Sequence, residues 1–124
     1  MYHIHHSEAT IFTVPGFEIR VLTAPSHGAA EVCTWHLYAT PHASSESHML
    51  DHQELFIGQS GQLTVTVAGE RVVLLPGDAI LVPAGALMQL ANESDAPAHV
   101  IGCVTAGFQA KGASGEPIGA PWAQ

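Results

Sequence analysis

The feature that most constrains this chain is its punctuation by glycine and proline at short intervals. Pro15-Gly16, Pro25, Gly28, Pro41, Gly58, Gly61, Gly69, Pro76-Gly77, Pro83, Gly85 and Pro97 divide it into apolar or alternating runs of strand-like length. The runs are Phe17 to Leu22, Val32 to Thr40, Leu55 to Ile57, Gln62 to Val67, Arg71 to Leu75, Ala79 to Val82 and His99 to Thr105. No stretch sustains a 3.6-residue apolar period with caps, so the pattern is all-β. Its clearest unit is Gly61 to Leu75. There Leu63, Val65 and Val67 alternate with Gln62, Thr64 and Thr66, and Ala68-Gly69 supplies a tight turn. Short strands of this kind build sandwiches or closed barrels, and periodicity alone does not separate the two.

A length of 124 residues fits one domain. Three basic residues, Arg20, Arg71 and Lys111, stand against eleven acidic ones, for a formal charge of −8. Binding to nucleic acid or to an anionic membrane surface draws on Lys and Arg, so both are excluded as partners. Apolar runs such as Ile80-Leu81-Val82 are far too short to span a bilayer as a helix. The start, Met1 to His6, has neither the basic nor the apolar region of a signal peptide, so a cytoplasmic location is expected. Cys33 and Cys103 read as free, small buried hydrophobes, with a long-range disulfide as the alternative.

Two stretches carry a more specific pattern. In the first, His48-Met49-Leu50-Asp51-His52-Gln53-Glu54 is followed by six residues and then Gly61. In the second, Gly77, Pro83, Gly85, Met88 and Asn92 stand at spacings that read G-x5-P-x-G-x2-M-x3-N. These resemble the paired signatures of the cupin superfamily, G-x5-H-x-H-x3/4-E-x6-G and G-x5-P-x-G-x2-H-x3-N. Leu50 stands at the second histidine position of the first signature, His42 at its leading glycine and Met88 at the histidine of the second. The resemblance, to small single-domain cupins of the "cupin 2" conserved-barrel type, covers residues 42 to 92. It implies a double-stranded antiparallel β-helix, or jelly-roll, barrel with a pocket in its mouth. It also implies a homodimer. One domain is expected over 1–124, with the barrel at about 10–108 and a surface-wrapping tail at 109–124, pinned by Trp122.

In metal-binding cupins the two signatures together supply three histidines and one glutamate to a divalent ion. Here those positions hold His48, Leu50, Glu54 and Met88, so two of the four ligands are replaced. Leucine has no lone pair, and a thioether is a weak ligand for the harder ions. The usual centre is therefore expected to be absent, and no cofactor is assigned. A relocated divalent transition-metal site would use His48, His52 and Glu54, a two-histidine, one-carboxylate set, with His42 also near.

Three functional readings follow. The first is a small-molecule-binding cupin without metal, whose organic ligand sits against Leu50, Met88 and Phe56. The second is a metal-independent isomerase, cyclase or dehydratase using His48 and Glu54 as acid and base. The third is an oxygenase-type metal enzyme on the relocated ligands. The plain alternative is that Leu50 and Met88 fill a collapsed core, with His48 and Glu54 hydrogen-bonded to each other. His3, His5 and His6 read as an exposed terminal cluster, and His27, His36 and His99 as ordinary strand or loop residues. Trp35, Tyr38, Phe56 and Phe108 read as core or pocket wall, Asp51 as a turn cap and Asn92 as the holder of a turn.

Overall fold

A computed structural model describes residues 1–124. Twelve strands form two antiparallel sheets. The first sheet carries β1 (Ile11–Val14), β2 (Phe17–Thr23), β3 (Val32–Ala39), β10 (Ala98–Thr105), β5 (Glu54–Ser60) and β8 (Ala79–Val82), in that spatial order. The second carries β12 (Pro117–Ile118), β11 (Ala110–Gly112), β4 (His48–Leu50), β9 (Met88–Ala91), β6 (Leu63–Val67) and β7 (Glu70–Leu74). Consecutive strands cross repeatedly from one sheet to the other, which is the jelly-roll arrangement. No helix is long and apolar enough to cross a membrane.

Strict alternation builds the core. Along β3, Cys33, Trp35, Leu37 and Ala39 are buried, while their neighbours face outward. Along β10, Ala98, Val100, Gly102 and Val104 do the same. Gly102 has a specific reason to be glycine: a Cβ there would collide with the indole of Trp35, its cross-strand partner. Removing that one atom lets the indole lie flat on the sheet and reach into the barrel.

The signature residues mostly have backbone jobs. Gly61, Gly77 and Gly85 all hold positive φ, and a Cβ on Gly61 would also strike the Pro97 carbonyl. Asn92 is buried; its amide donates to the Ala39 and Ala96 carbonyls, at 3.2 and 2.8 Å, and its oxygen accepts from the Ser94 amide and hydroxyl. Ala68 and Gly69, both at positive φ, make the two-residue turn that pairs Val67 with Glu70.

The segment after residue 108 differs from the tail expected. Ala110 to Gly112 pairs with β4, and Pro117-Ile118 pairs back on Ala110 and Lys111, so this segment extends the second sheet. A 3-10 turn at Pro121–Ala123 then packs against β2 and β3, with the Cys33 thiol donating to the Ala123 carbonyl. Its apolar residues take part in the core, which is why it does not simply wrap the surface. Both cysteines are free; Cys33 faces the core and Cys103 the outside of the same sheet.

Candidate functional site

Between the sheets, at one end, lies a cavity of about 480 Å³. β2, β3 and β5 turn Phe17, Ile19, Trp35, Leu37 and Phe56 into it, and β4 and β9 supply Leu50 and Leu90. The C-terminal segment forms a further wall through Ile118, Ala120 and Trp122, and Phe108 precedes it. The Val14-Pro15 turn and the Ser44-to-Glu46 loop complete the rim.

Glu54 opens β5 and faces inward, flanked in register by Val104 and Val82. It is 5% exposed, and its Oε1 has no hydrogen-bond partner. Burial alone pushes its carboxyl up to about 8, so the group is protonated and neutral at pH 7. A neutral carboxyl is the form an apolar cavity tolerates, and it both donates and accepts.

His48 opens β4 and lines the same cavity. Its Nδ1 donates to the Glu46 carbonyl at 3.2 Å, which leaves Nε2 as an acceptor in the neutral ring. His48 and Glu54 share the cavity without a hydrogen bond to each other, unlike the pairing of the collapsed-core alternative.

The other residues singled out from the sequence divide cleanly. Leu50 and Phe56 line the cavity. Met88 does not; it is 1% exposed, set in β9 between Val67 and His48, and belongs to the core. His52 lies on the turn after β4, where its Nδ1 donates to Asp51 at 2.8 Å, outside the cavity. His42 is exposed at positive φ and donates to Asp95 at 2.7 Å. Thus His48, His52 and Glu54 are not gathered, and no group of three or more His, Cys, Asp or Glu side chains is placed to hold a metal. Asp51 fastens the segment before β11 by accepting the Gln109 amide at 2.7 Å, a contact that also lowers its carboxyl pKa.

Sequence reasoning passed over two features. The tail's contribution to the wall was signalled only by Ile118 and Trp122, two large apolar residues in a Gly- and Pro-rich stretch. On the outer face of the first sheet, His36 and His99 share a 2.7 Å hydrogen bond, and Tyr38 stacks on His99 with ring centroids 4.3 Å apart. Partial burial lowers the pKa of both imidazoles, and the neighbouring His6 and, for His36, His99 and Arg20 act in the same direction. These two histidines lie two apart across adjacent strands, a proximity invisible without the register.

A family model described as "Cupin domain" matches residues 35–104, more than half of the chain. The chain is a cupin. Solved structures of low identity share the fold. The polyketide cyclase RemF from Streptomyces resistomycificus is 16% identical, with a TM-score of 0.76 over 85% of this chain and 79% of its own. KdgF from Halomonas sp. is 18% identical, with a TM-score of 0.71 over 82% of this chain and 90% of its own. A sugar phosphate isomerase of the cupin superfamily from Silicibacter pomeroyi is 22% identical, with a TM-score of 0.66 over 86% and 82% of the two chains. No curated protein matches this cupin significantly. At the cupin ligand positions it presents one imidazole, one neutral buried carboxyl, a leucine and a methionine packed into the core. That donor set does not fit the metal of metal-binding cupins.

Proposed function

We propose that this cupin binds an organic small molecule in the mouth of its barrel, without a metal at the cupin ligand positions. One observation carries the reading: a buried carboxyl with an unpartnered oxygen in an apolar cavity of about 480 Å³. A cavity of that size, mostly apolar with few polar groups, is the common form of a ligand site. Filling it tests the proposal. Leu50→Trp is expected to abolish saturable ligand binding, seen by saturation-transfer NMR, while the far-ultraviolet spectrum stays unchanged. Undiminished binding in that variant would refute it.

A second reading is favoured by the Glu54 carboxyl, whose value near 8 suits proton transfer at neutral pH. Under it Glu54 gives or takes the proton in an isomerisation, cyclisation or dehydration, and the His48 Nε2, with Nδ1 donating to Glu46, meets a second point of the substrate. Loss of a catalytic titration in Glu54→Gln is the expected result; a pH profile unchanged in that variant would count against it.

The proposal extends to assembly and location. Across the outer face of the first sheet, Cys103, Leu55 and Leu81 form one row, and Ile101, Ile57 and Ala79 the next. The six are uncharged on a chain of net charge −8, so a second copy can meet this face without bringing like charges together. Leu81→Asp is expected to convert the homodimer to monomer in light scattering, and a monomeric parent protein would refute the assembly. The two free thiols fit the reducing cytoplasm.

A further inference from the structure

The cavity's walls and its charges together narrow what can occupy it. The chain has four phenylalanines and two tryptophans. Five of these six rings, Phe17, Trp35, Phe56, Phe108 and Trp122, line this one cavity, and only Phe12 does not. Aromatic walls of this density offer stacked and edge contacts to a planar ring, each worth more than its buried area alone.

The cavity has no fixed positive charge. Arg20 lies on the outer face with Glu18 at 3.0 Å, Arg71 is paired with Glu93, and Lys111 is exposed on β11. A ligand carboxylate or phosphate would therefore shed its water without gaining a cation. It would also meet the acidic Glu46 at the rim. A ligand ammonium would have to ionise Glu54, whose carboxyl burial holds in the neutral state. An uncharged ligand incurs neither cost.

The polar partners left open are few and directional. Glu54 presents an unpartnered oxygen, and His48 an acceptor Nε2 once its Nδ1 has donated to Glu46. The Ser45 hydroxyl is already committed, donating to the Glu46 carbonyl and accepting from the Leu90 amide.

We infer that the cavity selects an uncharged aromatic-ring compound bearing a carbonyl or phenolic hydroxyl, held by Glu54, and rejects anions. The inference rests on the cavity being the binding site. A ligand carbonyl then accepts a hydrogen bond from the Glu54 carboxyl, or a ligand hydroxyl donates to its carbonyl oxygen, satisfying the one fully buried cavity-lining side-chain atom the protein leaves unpaired. Sugar phosphates and aromatic acids fall outside this class.

Four probes on one ring system test the inference at pH 7: 2-acetylnaphthalene, 2-naphthol, 2-naphthoate and 2-naphthylmethylammonium, each measured by equilibrium dialysis. The ketone and the naphthol are expected to bind at least tenfold more tightly than either ion. Glu54→Leu, which places an apolar side chain in an apolar wall and keeps the fold, is expected to lose at least tenfold for the ketone and naphthol. Equal or tighter binding of naphthoate or the ammonium overturns the charge selection while leaving the cavity as a binding site. Unchanged ketone binding in Glu54→Leu overturns the role of Glu54 alone. Failure of all four probes to bind overturns both the inference and the reading on which it rests.

Discussion

The two signature stretches of this cupin have taken different courses. The first, from His48 to Gly61, still faces the cavity: His48, Leu50 and Glu54 line it, and Phe56 follows on the same face. The second, from Gly77 to Asn92, has become almost entirely structural. Gly77 and Gly85 hold turns at positive φ, Asn92 ties a bend together with four hydrogen bonds, and Met88 is packed into the core. The contrast teaches that a motif joins two separable jobs. Its glycines, proline and asparagine serve the backbone, while its histidines and glutamate serve chemistry. The backbone job persists here at Gly61, Gly77, Gly85 and Asn92, and even His42, at the leading glycine position, holds positive φ.

The largest expected effect concerns the first stretch. Glu54 has a carboxyl near 8 when folded and near 4.5 when unfolded, so the folded form keeps a proton that the unfolded form loses. Its contribution to stability falls as pH rises from about 4.5 to about 8, and levels off above that. Glu54→Gln removes the slope. Denaturant melts at pH 9 are expected to show the variant more stable by up to about 5 kcal/mol, with little difference at pH 4. Parallel stability curves for the two proteins would break this part of the comparison.

Next in size is the second stretch. Asn92→Ala removes the side-chain bonds to the Ala39 carbonyl and the Ser94 amide, and leaves the Ala96 carbonyl only the Ser94 hydroxyl. The expected loss is about 3 kcal/mol in chemical denaturation, with ligand affinity of the folded protein unchanged. A change in affinity with stability intact would reverse the assignment of this stretch to structure.

The smallest effect sharpens the contrast between Met88 and Leu50, which stand at two of the four ligand positions of the cupin signatures. Met88→Leu conserves volume in the core and is expected to cost less than about 1.5 kcal/mol and to leave ligand affinity alone. Ligand binding that fell with Met88→Leu would place Met88 in the site after all.

Much of the fold was legible because its determinants are local. Alternation in 32–40 and 62–67 marks two strands, and Ala68-Gly69 marks the turn that both its residues' positive φ requires. β4 and β9 were not legible, since three or four residues such as His48-Met49-Leu50 show too few alternations to stand out. The strands at Ala110–Gly112 and Pro117–Ile118 were hidden for another reason: their pairing is with β4 and with each other, and glycine and proline argue for loop. In the site, the resemblance to the cupin signatures singled out His48, Leu50 and Glu54, which the structure sets along the cavity together with Phe56. The sequence did not reveal that His52 turns to Asp51, that His48 turns to Glu46, or that Met88, beside His48 across the strands, is buried without lining the cavity. Those are choices of side-chain partner, made by residues distant in the chain or by the local turn.

The protonation state of Glu54 is where the account is most exposed. Carbon-13 titration of the glutamate side-chain carboxyls, with Glu54→Gln used to assign the resonance, measures it directly. Among the groups near this carboxyl are Glu46 and His48 in the cavity and Cys103 on the strand beside it. A midpoint near 8 is expected for Glu54. A midpoint near 4.5 would contradict it, because a charged carboxylate would then occupy the cavity at neutral pH and the preference for uncharged ligands would lose its basis.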